Sequence, residues 1–75
     1  MINFRKLWVR LAERELKKMD LVNGTGIGRS TLAKLSKNEY VALKVLEDIC
    51  LFLECDIGDI LEILPNSEKI EKEQD

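Results

Sequence analysis

Arg29, Ser30, Thr31, Lys34 and Lys37 fall within nine consecutive residues, with Gly28 just before them and Lys18 eleven residues ahead of Arg29. Cations and hydroxyls at this spacing suit a polyanion better than a reaction. Arginine's planar fork matches paired acceptors such as O6 and N7 of guanine. Lysine meets a phosphate as a point charge, and serine and threonine reach phosphate or base edge. Covalent chemistry has no comparable cluster. The chain has no histidine, Cys50 and Cys55 are not spaced as CxxC, and Ser30 and Ser36 have no base to activate them. The run from Gly24 to Gly28 is glycine-rich, but no strand pattern precedes it, so it does not read as a phosphate loop. No enzymatic activity, metal or cofactor is expected, and both cysteines read as small apolar packing residues.

The apolar residues around this cluster say how it is held. Leu21 and Val22 form the apolar face of a short helix running from Lys17 or Lys18 to Asn23. Gly26 ends it in a turn that needs positive φ, and Ile27 is a buried plug. Leu32 and Leu35, three residues apart, form the inner face of a second helix from Gly28 to Ser36, with Gly28 at its N-cap and Asn38 in the left-handed C-cap. Arg29, Ser30, Lys34 and Lys37 then point outward. Two helices joined by a tight glycine turn, the second presenting cations and hydroxyls, is the helix-turn-helix arrangement. Lys34 and Lys37 also fit a solvated surface, and Thr31 also fits packing against the preceding helix. Gly24 predicts a frayed end to the first helix of the pair and a site where alanine stabilises.

The order Leu21-Val22, Gly26-Ile27, Ser30-Thr31-Leu32 and Leu35, continued by Leu46, Ile49, Leu53 and the run Cys55 to Ile60, resembles the Cro and lambda-repressor-like family of bacterial and phage regulators. The resemblance covers roughly residues 3 to 65. It implies a compact all-α domain of five helices over residues 1–65, with the helix-turn-helix at helices two and three. It also implies a sequence-specific regulator of double-stranded DNA, acting as a repressor and binding two half-sites as a homodimer. Lys18 stands where the family often has glutamine near a phosphate. Arg29 and Ser30 match positions that carry reading residues, with identities that differ, so no operator transfers. The candidate DNA contacts are Lys18, Gly28, Arg29, Ser30, Thr31, Lys34 and Lys37.

The remaining elements support that cluster. A first helix is predicted from Phe4 to Arg14 behind the N-cap Asn3, with Leu7, Trp8 and Leu11 on one face. Tyr40 and Val41 form an extended link. A fourth helix runs from Leu43 to Leu53, with Ala42 a poor cap. Asp56 opens a fifth helix from Ile57 to Leu64, stopped by Pro65. No strand pattern longer than Tyr40 to Leu43 is present. Residues 66–75 read as a flexible acidic tail.

Charge is divided along the chain. Residues 1–44 hold ten lysines and arginines against four acids, and residues 45–75 hold two against ten. The net of −2 therefore hides a basic half that coincides with the helix-turn-helix. No window is long and apolar enough for a membrane span and no signal peptide is evident, so a cytoplasmic protein without membrane or small-molecule ligand is expected. The competing reading keeps the fold and makes it a protein-interaction module, or an antitoxin-like regulator, whose acidic half binds a partner protein.

Overall fold

Phe4, Leu7, Leu11, Leu21, Ile27, Leu35, Leu46, Ile49, Leu53 and Ile60 form one buried cluster, and every helix contributes to it. The computed structural model describes residues 1–65; the segment 66–75, where a flexible tail is expected, lies outside the described residues. The order is β1 (Ile2–Asn3), α1 (Arg5–Glu13), α2 (Lys18–Thr25), α3 (Arg29–Ser36), α4 (Leu43–Leu53), a single 3-10 turn (Ile57–Asp59) and β2 (Glu62–Ile63).

The helices stop by similar means. Glu15, Asn38 and Glu54 take φ of 57°, 58° and 54°, and Gly26 takes 80°. After α1, α3 and α4 the next amide reaches back five residues: Leu16 N–H to Leu11 C=O at 2.8 Å, Glu39 to Lys34 at 2.9 Å, and Cys55 to Cys50 at 3.0 Å. Each brings a further donor to a carbonyl of the last helical turn, which also accepts from Arg14, Lys37 or Glu54 N–H respectively. Asn38 does a second job. Its Oδ1 accepts the Phe4 N–H at 2.8 Å, so the residue that ends α3 also ties down the start of α1.

Three expectations are corrected here. The described residues contain four α-helices, not five. Ile60, Leu61 and Leu64 fit one helical face, but the chain leaves the 3-10 turn after Asp59 and extends. Glu62 and Ile63 then pair antiparallel with Asn3 and Ile2. Asp56 still caps the turn, its Oδ1 accepting the Ile57 N–H at 2.8 Å. Asn3 lies in β1 rather than at the N-cap, which is Phe4, though its side chain accepts the Arg5 N–H at 2.8 Å. The end of α2 is not frayed. It includes Gly24 and Thr25, whose hydroxyl donates to Leu21 C=O at 2.6 Å and accepts from the Ile27 N–H at 3.3 Å.

Gly24 has ordinary helical geometry, yet a Cβ there would overlap the Phe52 ring from α4. The stabilising effect of alanine expected from the helix alone is therefore replaced by a steric cost. Gly26 shows the reverse: nothing crowds it, and only its positive φ demands glycine.

Cys50 and Cys55 are free and half-buried at the end of α4. Burial first, then the neighbouring Cys55, push the Cys50 thiol from 9.0 up to about 11, so it stays neutral near pH 7. Among the described residues no helix is long and apolar enough to cross a membrane.

Candidate nucleic-acid interface

The helix-turn-helix assembles from local chemistry. Lys17 caps α2 in extended conformation, and its N–H donates to Asp20 at 2.7 Å. An acid in the first turn also suits the helix dipole. Gly26 turns the chain, donating to Val22 C=O at 2.9 Å, and Ile27 enters the core. Gly28 is the extended N-cap of α3, with φ −78° and ψ 162° and no side-chain cap. Leu35 is fully buried, and Leu32 packs half-buried against the core. Burying a leucine contributes about 1.5–3 kcal/mol, enough to fix which face of this short helix turns inward.

The opposite face is open. Arg29, Ser30, Lys34 and Lys37 are exposed, with Arg29 and Ser30 in the first turn, Lys34 in the last and Lys37 at the C-cap. Thr31 is half-buried. Among the described residues no ion pair engages Arg29, Lys34 or Lys37. Lys18 differs from these. Its ammonium sits 4.4 Å from the Trp8 ring centroid and donates to Ser36 Oγ at 3.1 Å. The structure thus groups six of the seven candidates on or beside α3 and holds Lys18 at the seam between α1, α2 and α3.

Trp8 and Ser36 were not among the candidates, and both place Lys18. The signal was weak because Trp8 reads simply as part of an apolar stripe and Ser36 as a helix-end residue. In sequence Asn38 is legible only as a C-cap, because its bond to Phe4 spans 34 residues.

A cavity of about 290 Å³ lies elsewhere, between α1 and the 3-10 turn, lined by Arg5, Lys6, Arg10 and Asp59 among others. Its cations are engaged: Arg5 with Glu62, Arg10 with Asp59 at 3.6 Å, and Lys6 with Gly58 C=O at 3.1 Å. These bonds join α1 to the 3-10 turn and β2.

Residues 6–66 match the family model of the Cro/C1-type HTH DNA-binding domain. The chain belongs to that family of helix-turn-helix transcriptional regulators. It is similar to an uncharacterized HTH-type transcriptional regulator, YozG, of Bacillus subtilis (strain 168): 41% identical over 56 residues, covering 72% of this chain and 67% of that protein. The crystal structure of transcriptional regulator VanUg (Form II) superposes with a TM-score of 0.84 at 49% identity, over 87% of each chain. The sequence resemblance to Cro and lambda-repressor-like regulators is therefore borne out, and the Cro/C1-type domain places DNA as the partner class.

Proposed function

We propose that this Cro/C1-type protein is a sequence-specific regulator that binds double-stranded DNA by setting α3 in the major groove, and that its occupancy of the site represses transcription. The carrying observation is the asymmetry of α3: Leu35 fully buried on one side, Arg29, Lys34 and Lys37 exposed and without ion pairs among the described residues on the other. An exposed cation on a rigid helix with no ion pair among the described residues favours a phosphate or a base edge.

Each residue has a distinct role in this reading. Arg29, in the first turn, addresses a guanine through O6 and N7. Ser30 beside it bonds a base edge or phosphate, and half-buried Thr31 offers its methyl to a thymine. Gly28, lacking a side chain, lets the backbone come close to the duplex. Lys34 and Lys37 meet phosphates. Lys18 reaches the backbone from the start of α2, with Trp8 and Ser36 limiting where its ammonium can go. The domain comprises residues 1–65. Two copies on two half-sites complete the proposal, and exposed Met1 and Ile63 beside the β1–β2 pair give an apolar edge for their contact.

Selection of bound duplexes from a random pool, followed by salt titration on the winner, tests this. The expected result is an enriched consensus whose log affinity falls linearly with log salt. A pool without enrichment, bound by a salt-insensitive protein, contradicts it.

A further inference from the structure

The outer face of α4 carries a second surface of opposite chemistry. Leu43 and Leu51 are 74% and 71% exposed. They stand eight residues apart, about 12 Å along the helix axis at 1.5 Å per residue. With Ile57 of the 3-10 turn and half-buried Cys50, they line an open groove of about 260 Å³ whose charged liners, Glu47 and Asp56, are both acids. From Leu43 to Asp59 the chain has five carboxylates and one cation, Lys44. Lys44 is bonded to Glu47 at 3.3 Å and Asp48 at 2.9 Å, and Arg10 takes Asp59. Among the described residues Glu54 and Asp56 have no ion-pair partner. The groove therefore combines exposed leucine with a net negative rim, in which Glu47 shares Lys44 with Asp48 and Asp56 has no ion pair among the described residues.

Two occupants are disfavoured by this chemistry. DNA would meet like charge. A second copy, pairing α4 with α4 about a two-fold axis, would set Leu43 against Leu51 of the other copy. Because Glu47 lies midway between those leucines, the same axis would press Glu47 against its own symmetry mate. A helix that puts apolar residues over Leu43 and Leu51 and a cation between them satisfies all three positions. We propose that the α4 groove docks a basic amphipathic helix of a partner protein, on a surface separate from the DNA-reading face of α3. Apolar anchors on one helical stripe give affinity, and its lysines or arginines meet the acidic rim.

Three synthetic helical peptides serve as probes for the full chain, read by fluorescence anisotropy of a labelled peptide. The first has leucines on one stripe and lysines elsewhere, the second replaces lysine by glutamate, and the third replaces leucine by serine. The leucine–lysine peptide should bind saturably and the other two should not. Leu51→Ser and Leu43→Ser should each weaken that binding by at least about tenfold, as for anchors at the centre of an interface. Both side chains are exposed, so duplex affinity and thermal unfolding should be unchanged. Equal binding of the glutamate or serine peptide overturns the proposal, as does binding that Leu51→Ser leaves intact. A dimer of the full chain that Leu51→Ser dissociates would also overturn it, because a second copy would then be the occupant.

Discussion

Helices α1 and α3 both look basic in sequence, yet the protein uses their charges differently. Around α1, Arg5 pairs with Glu62, Arg10 with Asp59, Lys6 bonds Gly58 C=O, and Arg14 donates to Leu53 C=O at 2.8 Å. Those cations fasten α1 to the acidic C-terminal half. On α3, Arg29, Lys34 and Lys37 have no ion pair among the described residues. A count of charges per half treats all of these alike. The difference separates cations that bond within the fold from those of α3, which are exposed and have no ion pair among the described residues.

The largest expected effect tests the free side of this contrast. Arg29→Ala should lower affinity for the selected duplex by about 1–3 kcal/mol and relax preference at one base pair. Unfolding by urea should stay within about 0.5 kcal/mol of the parent, since Arg29 is exposed and has no ion pair among the described residues. Equal loss on all sequences would make Arg29 a phosphate contact and place base reading elsewhere.

The turn that presents α3 gives the next test. Gly24→Ala should destabilise by about 1–3 kcal/mol because its methyl meets the Phe52 ring. Gly26→Ala should cost about 1–2 kcal/mol through its φ of 80°. Phe52→Leu should recover much of the first loss and none of the second. Thermal unfolding of the singles and the Gly24→Ala, Phe52→Leu double reads this. Equal rescue of both would mean that one mechanism serves the two glycines, which would blur the contrast between a packed α2–α4 contact and a free turn.

Much of this architecture was legible in local pattern. Leu43 to Leu53 was readable to the residue, because Leu46, Ile49 and Leu53 share a stripe. Gly26 and Asn38 announce left-handed stops, and Gly28 an N-cap. The misses were non-local. Ile60, Leu61 and Leu64 mimic a helical face, and what extends them is pairing with Ile2 and Asn3 at the other end of the chain. Gly24 reads as a frayed helix end where alanine stabilises, because the Phe52 ring that a Cβ would meet is 28 residues away in sequence. The basic cluster of the candidate site was visible from residue types. Which cations pair within the fold was not, because Glu62 and Asp59, the partners of Arg5 and Arg10, come from a segment whose pattern suggests a fifth helix.

The most direct test compares the salt dependence of duplex binding in two double variants, Lys34→Ala/Lys37→Ala and Arg5→Ala/Arg10→Ala. Each removes two positive charges, so net charge changes equally. Each phosphate contact contributes about 0.9 to the slope of log affinity against log salt. The slope should fall by about two in the α3 variant and stay unchanged in the α1 variant, apart from a stability loss of about 0–1 kcal/mol per broken surface pair. Equal falls in the two variants would contradict the account, because the cations of α1 would then be as available to DNA as those of α3.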